Sequence, residues 1–275
     1  MLASEEARIG GTMTDAGLEH QSYDPRFFGR IAEIEDRNFW FCARNRIIAA
    51  AVRRVIAGLP TGFRVLEVGC GTGVVLRQLT KLCRDGEVIG MDLYSQAAVF
   101  ASGRAACRVI VGDILNPPSL GEFDVVGIFD VLEHLTNDRQ ILSGLNRMIK
   151  PGGALILTVP AHMALWSYFD VAACHCRRYA STDLAHILRE TGFEVEYLTE
   201  FMMSLFPLLW LVRRIKGGSG MMDRERAAKK AANELTIVPI LNGILKLILS
   251  VEALVIERRW RLPVGTSLLA VARKK

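Results

Sequence analysis

Three glycines stand two residues apart in the segment Val65-Leu66-Glu67-Val68-Gly69-Cys70-Gly71-Thr72-Gly73. An apolar stretch of strand type enters them and a helical pattern leaves, so the segment reads as a strand-to-helix turn. Glycine lets such a turn tighten and lets a ligand approach the backbone with no Cβ in the way. The first N–H groups of the following helix suit an anion, and a nicotinamide dinucleotide would use the same turn. Glu67 separates the two readings: two residues before the first glycine, its charge opposes a pyrophosphate and attracts a cation. Asp92 closes the next strand, where a carboxylate can accept both hydroxyl hydrogens of a ribose. Asp113, in Val111-Gly112-Asp113-Ile114, follows the third strand and can accept from an adenine amino group. Each acid alone is an ordinary solvated strand end; their register on successive strands points to a ligand.

An alternation of strands and helices must position these residues. Strands are expected over 64–68, 87–92, 108–111, 123–129, 154–159 and 193–201, with helices over 74–83, 96–103, 138–149 and 181–191. A Ser or Thr cap before Asp183 marks the start of the last helix, and Lys150-Pro151-Gly152-Gly153 reads as a turn. Such alternation gives a mostly parallel sheet with helices on both faces. Upstream, 1–24 read as a flexible arm and 25–62 as a helical cap ended by Gly58, Pro60 and Gly62.

Residues 202–263 break the rhythm and read as a helical insertion before the last strand, so the main domain comprises 63–201 and 264–275. Residues 202–275 carry 14 Lys/Arg against 5 Asp/Glu, although the whole chain is only +5. A basic segment of this kind can meet nucleic acid, anionic lipid or acidic substrates. The long apolar stretch 235–261 contains Asn242, Lys246 and Ser250 four residues apart, which puts a polar stripe on an apolar cylinder. Such a helix must be covered, either as a lid on its own domain or by lipid or a partner. Six irregularly spaced cysteines do not make a disulfide scaffold, and the first 24 residues lack the apolar core of a secretory signal. Both point to a reducing, cytoplasmic setting with possible membrane association.

On these residues the chain resembles the class I S-adenosylmethionine-dependent methyltransferases, small-molecule branch, from about Arg64 to Phe201, with a final strand at 266–273. The resemblance implies an α/β fold: a seven-stranded, mostly parallel Rossmann-like sheet with helices on both faces and an antiparallel last strand. It implies S-adenosylmethionine as cofactor. Glu67 and the loop Gly69, Cys70, Gly71 and Gly73 would hold the methionyl part, Asp92 with Leu93 the ribose, and Asp113 with Ile114 the adenine. Phe123-Asp-Val-Val-Gly-Ile-Phe129-Asp130-Val-Leu-Glu133-His134 matches the fourth-strand motif, placing Phe129 and Asp130 beside the sulfonium and the acceptor. Ile149-Lys-Pro-Gly-Gly153 matches the fifth. Members that modify DNA or protein amides often carry Asn-Pro-Pro-Tyr after the fourth strand; here Phe129-Asp-Val-Leu132 stands there, and Asn116-Pro-Pro-Ser119 falls at the wrong corner. Nucleic acid is therefore disfavoured, and the acceptor is expected to be a small molecule or lipid-linked.

Loops at the carboxyl ends of strands are where open α/β sheets do chemistry. His134 after the fourth strand, with His175 and Tyr179 after the fifth, are the candidate catalytic groups; His175 would be the base. Trp166 and Asp170 belong to the same region, and Arg177 or Arg178 would hold an anionic substrate group through its fork. Trp40 joins this substrate-binding set: Asn38-Phe-Trp-Phe-Cys-Ala-Arg-Asn45 and His175-Cys-Arg-Arg-Tyr179 resemble a bacterial subgroup whose substrates are mostly unassigned. Cys174-His175-Cys176 with His162 suggests zinc, but adjacent residues of an extended chain point to opposite sides, so no metal is assigned. The competing readings are an RNA or protein methyltransferase, a nicotinamide-dependent oxidoreductase, and a cofactor-binding protein without turnover.

Overall fold

The computed structural model describes residues 27–215, 223–234 and 237–275. The expected arm over 1–24, the start of the cap at Pro25, the Gly-Gly-Ser-Gly joint at 217–220 and the expected helix start at Leu235 lie outside the described residues. Seven strands form one sheet: β1 (Arg64–Val68), β2 (Glu87–Asp92), β3 (Arg108–Val111), β4 (Phe123–Phe129), β5 (Ile149–Pro160), β6 (Phe193–Phe201) and β7 (Ser267–Lys274). Their spatial order is β3-β2-β1-β4-β5-β7-β6, with β7 antiparallel to both neighbours and the other pairings parallel. The fold class read from the sequence is the one observed.

Successive strand residues point to opposite faces. Val125 and Ile156 enter a core closed by α2 (Phe39–Ile56), α3 (Val74–Leu82) and α4 (Ser95–Arg104), whereas Val126 and Leu155 enter one closed by α5 (Asp138–Met148) and α7 (Ser181–Glu190). Each fully buried aliphatic side chain there contributes about 1.5–3 kcal/mol. The short helix α1 (Phe27–Ile34) precedes α2, and α6 (Tyr168–Ala172) lies between β5 and α7.

Two local expectations are corrected. Strand β5 begins at Ile149, five residues before the expected start, because Lys150–Gly153 is absorbed as an irregularity where the pairing register shifts between Phe123 and Val125. Helix α7 has Ala180 as its N-cap with no side-chain cap. Tyr179 is held in a bridge to Ala161, with its N–H donating to the Pro160 carbonyl at 2.9 Å, so the chain turns helical only at Ser181.

Between β6 and β7 stand α8 (Phe206–Ile215), α9 (Arg224–Glu234) and α10 (Pro239–Glu257). Helix α10 starts at Pro239, whose fixed φ suits a first helical position. Two of its polar residues, Asn242 and Glu252, face inward. Asn242 accepts from the Phe39 N–H at 2.8 Å and donates to the Arg37 carbonyl at 3.0 Å. Buried Glu252 accepts from the N–H groups of Met203 at 2.9 Å and Ser204 at 2.8 Å. Ile240, Ile244, Leu247, Val251 and Leu254 face outward and are exposed. The helix is long and apolar enough to cross a membrane, yet these bonds hold it flat against α2.

Candidate active site

A continuous cavity of about 1390 Å³ runs along the carboxyl ends of β1, β2 and β4 and continues beneath α8 and α10. It exceeds the roughly 300–1,000 Å³ of an ordinary small-ligand site, which leaves room for a second molecule beside the first. At one end lies the glycine loop. Gly69 has φ +68°, and a Cβ there would meet Val131 Cγ2 at 2.4 Å. Gly73 caps α3 at φ +81° and stands behind the cavity wall, where a Cβ would come within 2.6 Å of Ala101 Cα. The N–H groups of Gly69 and Cys70 donate to the Met91 carbonyl at 2.7 and 3.1 Å, tying the loop to the end of β2.

Asp92 completes that tie: its carboxylate accepts from the Gly71 N–H at 2.8 Å and the Tyr94 N–H at 3.0 Å. Burial pushes its carboxyl up to about 6 despite those hydrogen bonds. Glu67 is buried between Gly90 and Gly127 of the neighbouring strands, and its Oε2 has no hydrogen-bond partner. Burial raises its pKa well above the usual carboxylate range, with Arg44 acting in the opposite sense. Asp113 and Ile114 line the next wall, and Asp113 accepts from the Leu115 N–H at 2.9 Å. Cys70, Leu93 and Phe129 complete the expected cofactor set along the cavity.

Asp130 follows β4 with φ +52°, a conformation rare for a residue with a Cβ, and is ion-paired with Arg44. Arg44 projects from α2, donates to the Phe129 carbonyl at 3.1 Å, and lies 5.7 Å from the ring centroid of Trp40 on the cavity wall. Sequence reasoning missed Arg44; its signal was a lone cation on the apolar face of α2, one turn before Ile47 and Ile48. It also missed Glu35, which accepts from the Thr72 hydroxyl at 2.6 Å and pairs with Arg104, so that the start of the cap is fastened to the glycine loop.

Beyond Asp130 lies a buried cluster. Glu133 is 1% exposed, and burial raises its pKa well above the ordinary value, aided by Asp130. His175 Nδ1 is 3.0 Å from Asp170 Oδ1, and its Nε2 is 3.8 Å from Glu133 Oε1. The His134 ring meets the His175 ring edge-on at 4.8 Å. Asp170 is fixed by the Ser167 capping box of α6 and by Arg178. Burial pushes its carboxyl up, but the His175 hydrogen bond and the Arg178 charge outweigh that and hold it below the usual value. An ionised Asp170 accepts only, so Nδ1 carries the hydrogen and Nε2 is left to receive a proton.

Glu133, His134 and His175 bring their ligand atoms within 4.8 Å of one another, a donor set that could hold a divalent cation. The thiols of Cys174 and Cys176 instead face the carbonyls of Ala172 and His134, at 3.7 and 3.5 Å. Three expected substrate or catalytic residues do not reach the cavity: Trp166, Arg177 and Tyr179. Arg177 donates to Asp138 at 2.6 Å and to the Thr136 carbonyl at 2.7 Å, while the buried Tyr179 hydroxyl donates to the same Asp138 at 3.2 Å. Burial and the Asp138 charge raise the Tyr179 pKa, which fits a structural phenol. Arg178 lines the cavity with every guanidinium nitrogen engaged, by Asp170 and by the Ala161 carbonyl at 3.0 Å.

A family model described as a methyltransferase domain matches residues 41–198. The chain belongs to the class I S-adenosylmethionine-dependent methyltransferase family. It is similar to a probable S-adenosylmethionine-dependent methyltransferase from Mycolicibacterium smegmatis, with 30% identity over 60% of this chain and 63% of that relative, so the match spans less than two thirds of the relative's length. It is also similar to a ubiquinone biosynthesis O-methyltransferase from Thiobacillus denitrificans, with 27% identity over 60% of this chain and 79% of that one. In fold, it resembles the TehB-like methyltransferase of Corynebacterium glutamicum, with TM-score 0.53 and 18% identity over 92% of this chain and 100% of that one.

The residues present fit the family's cofactor. An orphaned buried carboxylate oxygen on Glu67 suits its cationic part, and Gly71, at φ +52° with nothing within 4 Å of where a Cβ would stand, leaves the cavity wall open to backbone contact. A linked proton follows. Burial raises the pKa of the Glu67 carboxyl, whereas a cation beside it favours the carboxylate. Binding of S-adenosylmethionine is therefore expected to lower that pKa and release protons over the pH range in which the carboxyl titrates, measured as a dependence of the calorimetric enthalpy on the ionisation enthalpy of the buffer across a pH series. Glu67→Gln should abolish that dependence; an enthalpy independent of buffer in the parent protein would refute it.

Proposed function

We propose that this methyltransferase transfers a methyl group to an apolar or lipid-linked small-molecule acceptor, in the cytoplasm and against a membrane surface. One observation carries the reading: the cavity that begins at the glycine loop continues without a break to leucines of α8 and α10, Leu208, Leu209, Leu241 and Leu245. S-Adenosylmethionine, when bound by Glu67, Asp92, Asp113 and the glycine loop, supplies an electrophilic methyl group on a cationic sulfur. The protein's part is then to hold the acceptor atom in line and keep water out. Trp40 and Phe169 wall the acceptor space. His175, oriented by Asp170, takes the acceptor's proton at Nε2. The name of the Thiobacillus relative, an O-methyltransferase, supports oxygen as the acceptor atom.

The insertion 202–263 serves as both cover and docking face. Helix α10 turns Asn242 and Glu252 to the protein together with the core residues Leu249, Ala253 and Ile256. It leaves Ile240, Ile244, Leu247, Val251 and Leu254 exposed on its outer side, where a helix that faces water would carry polar residues. Arg258 and Arg261 flank exposed Trp260 at its end, a composition suited to an anionic lipid interface. Six free cysteines support a reducing compartment. The test mixes the full chain with methyl-labelled S-adenosylmethionine and vesicles made from a total cellular lipid extract. The chain is expected to pellet with the vesicles, and label to enter the organic phase. A chain that stays in the supernatant, with label confined to polar metabolites, protein or RNA, would overturn this function.

A further inference from the structure

The cavity changes sign along its length. Glu67, Asp92, Asp130 and Glu133 wall its sheet end, where Arg44 and Arg178 are paired with Asp130 and Asp170, whereas among the described residues the segment after β6 contributes only two charged side chains to the lining, Arg213 and Arg224. Neither has a carboxylate partner among the described residues. The Arg213 guanidinium lies 5.2 Å from the ring centroid of Tyr168, and the Lys230 ammonium lies 4.2 Å from the same ring, so the cationic character is concentrated where α8 and α9 meet α6. Arg224 Nη2 is buried with no hydrogen-bond acceptor. A buried charged donor left unpaired is costly, and the natural remedy is an acceptor carried by a ligand.

We infer that Arg213 and Arg224 form an anion-binding subsite, and that the acceptor is an anionic amphiphile bearing a phosphate or carboxylate at the end away from the methylated atom. The inference rests on the methyl-transfer reading above and refines its substrate class. Arg178 and Arg177, which the sequence offered for this role, have their forks taken by Asp170 and Asp138. The apolar residues between the two charged ends, Leu205, Leu208, Leu209, Leu241 and Leu245, suit a hydrocarbon part. A cation at one end and an anion at the other would thus each meet complementary charge, which fixes the direction in which the acceptor enters.

Decyl phosphate and decanol, both below their aggregation concentrations, are titrated by calorimetry into the full chain saturated with S-adenosylhomocysteine. Decyl phosphate is expected to bind once per chain and about tenfold or more tighter than decanol. The double variant R213A/R224A should lose that preference while binding S-adenosylhomocysteine as the parent does, which also reports that it folds. Equal affinities in the parent, or an undiminished preference in the double variant, would overturn the subsite. So would a charge preference seen only with anionic vesicles and not with the monomeric probe, because the arginines would then face the membrane. Failure to bind S-adenosylhomocysteine at all sinks the methyl-transfer reading instead, so the two failures are distinct.

Discussion

Replacing Asp92 with alanine is expected to lower the affinity for S-adenosylmethionine by about a hundredfold or more. The carboxylate has two jobs at one position. It accepts the Gly71 and Tyr94 N–H groups, which shapes the glycine loop, and it faces the cavity where the ribose hydroxyls would lie. Hydrogen bonds to a charged group contribute about 1.5–3 kcal/mol each, so losing two or more gives a change of that order. Asp92→Asn keeps one acceptor oxygen and should lose roughly tenfold. The same carboxyl sets a pH dependence. Burial lifts it from 3.8 to about 6, so between those values the folded, ligand-free protein holds more protons than the unfolded chain. This group's contribution to stability therefore grows as pH falls from 6 towards 4, while cofactor affinity declines over the same range. Chemical denaturation at pH 4, 5 and 6 checks the first effect and equilibrium binding at pH 5, 6 and 7 the second; an Asp92→Ala protein that binds like the parent would remove Asp92 from the cofactor site.

The second large effect concerns His175. Truncation to alanine is expected to lower the rate of label transfer to the lipid fraction by about 10²–10⁴-fold, the usual contribution of a positioned general base. Donor affinity should change little, because His175 lies beyond Asp130 and outside the glycine loop. Asp170→Asn should give a smaller loss, since the ring keeps a partner at Nδ1 but not the charge that fixes its tautomer. A His175→Ala protein with unchanged rate and pH profile would show that the proton leaves by another route.

Strands β1 to β4 were legible because each is a short apolar run closed by a turn signal, and all four lie within 64–129. The glycine loop and its three acids were legible for the same reason: strand ends fix where they point. The ion pair between Arg44 and Asp130 was not, since 86 residues separate the partners and no local pattern states which strand end a capping helix will cross. Arginines 177 and 178 show the complementary limit. Their side chains suit an anionic substrate or a neighbouring carboxylate equally, and only the arrival of α5 and α6 supplies Asp138 and Asp170. The inward anchoring of α10 by Asn242 and Glu252 was hidden too, because a stripe read from spacing does not say which side meets water.

Strand β7 lies between β5 and β6 yet is made after both, and after α8, α9 and α10. On a ribosome, which releases the chain from its beginning, β5 and β6 emerge without the neighbour they share, and their edges stay open while the apolar outer face of α10 is already outside the exit tunnel. Translation thus imposes a waiting period in which the greasiest helix is presented before the sheet can close. A bilayer or chaperone that engages α10 during that interval would shield the nascent chain from aggregation as well as fix where the finished enzyme works.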